Sequence, residues 1–305
     1  MPDAVAVVTI VRGRHDHLRE QVRVLRQVAP RVPHVVVAMG DPEVAAVVGQ
    51  VGGADEWTTV VHVDDDPRGL PLARARNSGV RTALAAGAGL VVLLDVDCVP
   101  GPGLVDAYRD ASDLAPDALL AGPVTYLGEG VPVPVDPRGL DALRSPHAAR
   151  PDPAPGEVLT GGDHDLFWSL SCAVTASTWD TLGGFHEGYV GYGAEDTDLG
   201  RVARSRGVDL VWVGGADAFH QWHPVAQPPV DHLEDIVRNA ATFHARWGDW
   251  PMPGWLEEFE RRGLVARDGE TLTLVPEPSA PSPRVSAPKS LKFPGSSHST
   301  GTVQP

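Results

Sequence analysis

Residues 90–100, LVVLLDVDCVP, constrain this chain most, because five consecutive apolar residues lead straight into two carboxylates one residue apart. An apolar run that short reads as a strand buried on both faces, as in a parallel sheet covered by helices. Asp95 and Asp97 then stand at its carboxyl end, where open α/β sheets bind ligands. Two acids there call for a cationic partner, and a divalent metal carrying phosphate oxygens meets that need. A plain polar turn is the alternative, since aspartate is a common turn residue.

The rest of the first hundred residues supports a sheet of that kind. Strand patterns at 4–11, 34–39 and 58–63 alternate with helix patterns at 15–28, 42–49 and 72–86, which predicts a mostly parallel, Rossmann-like α/β sheet with helices on both faces. Between 116 and 162, prolines and glycines break the pattern around one short strand at 124–126, the texture of a long functional loop. Further on, strands are expected at 167–175, 210–213 and 218–222. Helices are expected at 177–182, up to 206, at 230–247 and at 255–262, and a hairpin at 264–275. Residues 276–305 are Pro/Ser-rich and are expected to be a disordered tail. The expectation is one folded domain, 1–275, with halves at 1–115 and 116–275.

Composition removes several classes of function. A formal net charge of −15 over 305 residues disfavours polyanionic partners, so neither nucleic acid nor an anionic membrane surface is expected. The two cysteines, Cys98 and Cys172, lack metal-ligand spacing and read as free thiols of a reduced, cytoplasmic protein. The first apolar run has no basic flank before it and is followed by Arg-Gly-Arg, so it reads as a strand rather than a signal peptide, and no run approaches membrane-spanning length.

Three further groups could carry chemistry. Glu195, Asp196 and Asp198 follow a loop with Gly188, Gly191 and Gly193 and two tyrosines, Tyr189 and Tyr192. They suit either a helix's first turn, with Asp198 paired to Arg201, or an active site whose glycines let backbone approach a ligand and whose rings face a sugar. FHQWHP supplies His220 and His223. Three apart, they could share one side of a turn or helix, whereas in an extended strand they would point to opposite faces, so one ligand at most is expected. Arg12 and Arg14, then Arg74 and Arg76 with Asn77, lie at strand and helix ends and could hold a diphosphate or a base; solvated helix ends are the plainer reading. Neither G-x-x-x-x-G-K-[ST] nor G-x-G-x-x-G after the first strand occurs, which disfavours P-loop and Rossmann dinucleotide binding.

Together these segments resemble metal-dependent glycosyltransferases of the GT-A fold, the galactosyltransferase and N-acetylgalactosaminyltransferase group and its bacterial, family 2-like relatives. DVDCVP looks like that group's D-x-D strand end, GGFHEGYVGYGAEDTDLG like its G-G-F…E-D-x-D segment, IVRGRHDHL like its nucleotide-contacting stretch, and FHQWHP falls where it places a metal-binding histidine. The resemblance implies a single GT-A catalytic domain with a nucleotide-sugar-binding first half and an acceptor-binding second half. It implies Asp97 as a direct ligand of Mn²⁺ or Mg²⁺, His220 as a further ligand with His223 as substitute, and Asp95 on the ribose or the metal's water shell. Asp196 would be the general base and Glu195 a sugar-binding residue. Arg12, Arg14 and Arg74, beside Asn77, would hold the nucleotide.

The expected activity is inverting transfer of a sugar from a nucleotide diphosphate sugar, a UDP-sugar, to an acceptor hydroxyl. The alternatives are a retaining transferase on the same fold and a nucleotide-sugar- or carbohydrate-binding protein without turnover.

Overall fold

The computed structural model describes residues 4–52 and 56–276. The tail expected at 276–305 therefore lies, apart from Pro276, outside the described residues. In chain order the strands are β1 (Val5–Val11), β2 (His34–Met39), β3 (Thr58–Val63), β4 (Leu90–Leu94), β5 (Cys98–Pro100), β6 (Leu119–Ala121), β7 (Val124–Tyr126), β8 (Val158–Leu159), β9 (Ser171–Thr175), β10 (Leu210–Val213), β11 (Ala218–His220), β12 (Val265–Asp268) and β13 (Thr271–Leu274). The helices are α1 (His15–Val28), α2 (Val44–Gln50), α3 (Leu72–Ala85), α4 (Leu104–Leu114), α5 (Ala176–Leu182), α6 (Glu195–Ser205), α7 (Leu233–Trp247) and α8 (Pro253–Arg261).

Among the described residues the main sheet runs β3-β2-β1-β4-β9-β6-β10-β8. β9 lies antiparallel between β4 and β6, and β8 antiparallel at the edge; the other pairings are parallel. The strand alternation of β1 shows how the sheet is covered. Ala6, Val8 and Ile10 pack with α3, α5 and α6 on one face, while Val5 and Val7 pack with α1 and α4 on the other. All five residues of β4 are buried, as the apolar run at its centre requires, and each side chain contributes roughly 1.5–3 kcal/mol relative to exposure.

The apolar run does not continue as one strand into Pro100. The chain turns at Asp95-Val96-Asp97, where the amide of Cys98 donates to the carbonyl of Asp95 at 2.8 Å, and β5 then joins a second sheet of order β5-β11-β7. That small sheet stands beyond the carboxyl end of β4. α4 was not anticipated, although Leu104, Val105, Tyr108 and Ala111 supply an apolar face at helical spacing, and all four are buried. α7, α8 and the β12–β13 hairpin close around a separate apolar cluster that includes Ile236, Leu256 and Phe259. Among the described residues no helix is long and apolar enough to cross a membrane.

Candidate metal and active site

The turn between the two sheets carries the first half of the site, and a buried polar residue of α1 fixes its shape. Gln21 is fully buried; its Nε2 donates to the carbonyls of Asp95 at 2.7 Å and Cys98 at 2.8 Å, while its Oε1 accepts from the Thr9 hydroxyl at 2.9 Å. Sequence reasoning missed Gln21, whose only signal is an amide on the apolar face of α1. Gln21→Leu should take the side-chain donor from the buried Cys98 carbonyl, while the Asp95 carbonyl keeps the Cys98 amide, and lower unfolding free energy by roughly 1–3 kcal/mol, measured in urea, with weaker metal binding as the turn relaxes.

Asp97 projects from this turn toward β11. Its Oδ2 lies 3.6 Å from His220 Nε2, 3.5 Å from His223 Nε2 and 3.6 Å from Arg14 Nη1. The Asp97 and histidine ligand atoms all fall within 4.8 Å of one another. The second carboxylate oxygen, Oδ1, is buried without a hydrogen-bond partner among the described residues. Donor atoms around one ion at ~2.1 Å sit roughly 3 to 3.5 Å apart, so this carboxylate and two imidazoles fit a divalent metal. Both rings come near Asp97 because β11 ends at His220, and beyond it the strand's two-residue alternation no longer applies. The amide of Gln221 donates to the Asp97 carbonyl at 2.6 Å and bends the chain so that both rings converge.

Charge at this cluster favours ligation. Burial opposes ionisation of Asp97, but the hydrogen bond from His223 and the charges of His220 and Arg14 outweigh it, and the carboxyl is pulled down to about 2. Burial lowers His220 below the usual imidazole value against the opposing charge of Asp97, the direction that favours the neutral ring a metal needs. Arg14 reaches Asp97 from a left-handed backbone, φ 49°, at the start of α1, a strained conformation that places its guanidinium over the turn.

The second half of the site is joined to the first through Arg76, a buried residue of α3. Its guanidinium donates to Asp95 Oδ1 at 3.0 Å and to Glu195 Oε1 at 3.0 Å, and so holds the two acidic groups on one cation. Asp95 thus has a protein partner, and Arg76 rather than Arg74 is the arginine of α3 that enters the site. Arg74 donates instead to the Asp64 carbonyl at 2.5 Å, and Arg12 pairs with Asp65. Asn77, expected at the nucleotide, is placed elsewhere. It is buried, its Nδ2 donates to the Phe185 carbonyl and to Glu187, and its Oδ1 accepts from the Phe185 amide, each at 2.9 Å.

Glu195 and Asp196 open α6, after Ala194 in a left-handed conformation with φ 75°. Glu195 is buried, and its Oε2 has no partner among the described residues. Burial first, and then the charge of Asp196, push its carboxyl up to about 7 against the opposing pull of Arg76. A carboxyl raised in the fold takes its proton more readily folded than unfolded. Its contribution to stability is therefore full below pH 4.5 and is lost as pH rises through about 7. Glu195→Gln should resist urea better than the parent at pH 8 and no better at pH 4.5; equal midpoint shifts at both values would contradict this assignment.

Asp196 is half-buried, and its Oδ1 accepts from the Thr197 amide at 2.7 Å. Asp198 belongs to the scaffold. It is buried and accepts from Arg246 Nε at 2.8 Å, Trp247 Nε1 at 2.7 Å and the Tyr189 hydroxyl at 3.1 Å, which ties α6 to α7. The expected pair with Arg201 is absent from these contacts, because Arg201 binds Asp165 and Asp249.

In the glycine loop one position is set by close packing. Gly191, at φ 78°, packs where an added Cβ would lie 2.2 Å from the Asp235 carboxylate carbon, so it is required for packing against α7. Tyr189 is buried, whereas Tyr192 is partly exposed and stacks on His232 at 4.7 Å. Tyr192 borders a cavity of about 410 Å³ together with Arg12, Asp66, Arg68, Gly191 and Asp235, a size that suits a small ligand.

No protein-family model matches the chain. Among curated proteins it matches the N-acetylglucosaminyl-diphospho-decaprenol L-rhamnosyltransferase of Mycobacterium tuberculosis, in two strains, with 29% identity over 180 residues. That match covers 53% of this chain and 58% of the relative, so the chain spans little more than half of the curated protein's length. Among solved structures, S. aureus TarS 1–349 matches with TM-score 0.53 and 15% identity, over 79% of this chain and 65% of that one. GalNAc-T7 with UDP, GalNAc and Mn²⁺ matches with TM-score 0.49 and 12% identity, over 85% and 56%. The chain therefore has the GT-A fold, and over about half its length it is similar to a protein named as a rhamnosyltransferase.

Proposed function

We propose that this protein is a metal-dependent glycosyltransferase that moves a sugar from a nucleotide diphosphate sugar, a UDP-sugar, to an acceptor hydroxyl with inversion. The observation that carries the reading is the convergence of Asp97, His220 and His223 on one point, linked through Asp95 and Arg76 to the Glu195–Asp196 pair. Kinship with a protein named as a rhamnosyltransferase supports glycosyl transfer as the class of reaction.

Asp97, His220 and His223 would hold Mn²⁺ or Mg²⁺, whose chemistry when bound is Lewis-acid neutralisation of a diphosphate leaving group. Arg14, beside Asp97, and Arg12, at the rim of the cavity under Tyr192, would add positive charge for the nucleotide diphosphate. Asp95, held by Arg76, would face the ribose or the metal's water shell. Asp196, with one carboxylate oxygen left free by its bond to the Thr197 amide, would take the proton of the acceptor hydroxyl as it attacks the anomeric carbon. Glu195, fixed by Arg76 with its second oxygen unpartnered, would hold a sugar hydroxyl beside it.

A thermal-shift screen of UDP-, dTDP- and GDP-sugars with and without Mn²⁺ tests this reading. A ligand that binds only the folded state raises its melting temperature in proportion to affinity. One nucleotide family should stabilise the protein in Mn²⁺ and lose that effect in chelator. A screen in which no nucleotide sugar shifts the transition in either condition would exclude the proposal.

A further inference from the structure

Three rings form a row leading away from the metal-binding cluster across the irregular segment that follows β7. The Tyr126 ring lies 4.7 Å from that of His220, His147 stands 5.8 Å from Tyr126, and Trp168 lies 5.2 Å from His147. Tyr126 is 46% exposed, His147 is exposed and Trp168 is half-buried, so the row presents a surface rather than core packing. The parallel and antiparallel pairing of β7 and β5 with β11 sets its origin, since His220 is in register with both Tyr126 and Cys98.

A cation lies against this row. Arg150 is 6% exposed and is held between Trp168, at 4.8 Å, and Trp212, at 5.0 Å. Its Nη2 donates to the Trp168 carbonyl at 3.2 Å, but Nε and Nη1 have no partner and the side chain makes no ion pair among the described residues. Buried charges are ordinarily paired. Stacking over the two rings accounts for the position of Arg150 but leaves its charge uncompensated.

We propose that Tyr126, His147 and Trp168, with Arg150 behind them, form an acceptor subsite for a pyranoside that carries an oxyanion. Ring faces suit the apolar face of a pyranose, and the guanidinium, whose Nε and Nη1 are buried behind the rings without a partner among the described residues, favours through its positive field a phosphate or carboxylate on the same ligand. That this ligand is the acceptor rests on the transfer function proposed above; that an anionic sugar binds there does not.

The test is binding of glucose 1-phosphate, glucuronate and methyl glucoside, followed by NMR on the full chain with UDP and Mn²⁺ present to fill the donor side. The parent should bind one of the anionic sugars at least about tenfold more tightly than methyl glucoside, and which one prevails identifies the group as phosphate or carboxylate. Trp168→Ala should weaken all three about three- to tenfold, and His147→Ala, at an exposed position, should weaken them in the same direction. Arg150→Gln should abolish the preference for the anion and leave methyl glucoside unchanged. Equal affinity for charged and neutral sugars, no sugar binding at all, or unaltered binding in both ring variants would overturn the subsite. UDP titrations in Mn²⁺ should be the same in parent and ring variants. A parent that binds the anionic sugar but none of UDP, dTDP and GDP would remove the transfer function and leave the subsite standing.

Discussion

Asp97→Asn should reduce Mn²⁺-dependent affinity for the nucleotide at least ~100-fold while the protein stays folded. The substitution keeps the size of the side chain, and the backbone carbonyl that receives the Gln221 amide is unchanged, so the turn should hold. The loss comes from charge. In the parent, Asp97 is ionised because His223, His220 and Arg14 face it against the penalty of burial, and the neutral amide leaves three basic groups around a point meant for a cation. His220→Ala and His223→Ala should each weaken the same dependence, since both rings stand about as far from Asp97 Oδ2. Calorimetry of UDP with and without Mn²⁺ checks all three variants against circular dichroism. Unchanged Mn²⁺-dependent affinity in the folded Asp97→Asn protein would place the metal elsewhere.

Asp196→Asn should leave donor affinity nearly intact and lower kcat by ~10²–10⁴-fold, the usual effect of removing a general base. An asparagine at this position still offers an oxygen to the Thr197 amide, so the first turn of α6 keeps its hydrogen bond and only the proton acceptor is lost. A purely structural role for the carboxylate gives a different result. Loss of a negative charge at a helix N-terminus costs roughly 0.3–1 kcal/mol and leaves turnover alone. Measuring kcat, donor affinity and melting temperature on this one variant separates the two. Normal turnover at a lower melting temperature would sink the assignment of Asp196.

The strand and helix order of the first half was legible because its periods are clean. The run of β4 is apolar at every position and ends at its acids, and α1 repeats Leu18, Val22 and Leu25 on one face. What the periods could not carry was convergence from distant parts of the chain. His220 and His223 meet because β11 stops between them, and a two-residue alternation read onto the whole segment separates them instead. Arg76 and Asn77 are adjacent on α3 and look interchangeable in sequence; the fold turns one toward Asp95 and Glu195 and the other toward Phe185. Gln21 and Arg150 carry no motif, and their importance comes from the buried carbonyls and aromatic faces that only the fold brings to them. The same holds for Gly191, whose missing side chain makes room for Asp235 beside the cavity it borders.

Glycosyl transfer by a metal-held donor is tested most directly by following one reaction mixture with proton NMR. The mixture contains the protein, Mn²⁺, a donor that stabilises it in the thermal screen and an acceptor sugar. The protein should release the nucleoside diphosphate and form a new glycosidic bond of inverted anomeric configuration, and both signals should stop on addition of chelator. Retention of the donor's configuration would overturn the role given to Asp196. No release of nucleotide from any donor, or release that continues undiminished in chelator, would contradict the metal-dependent transfer itself.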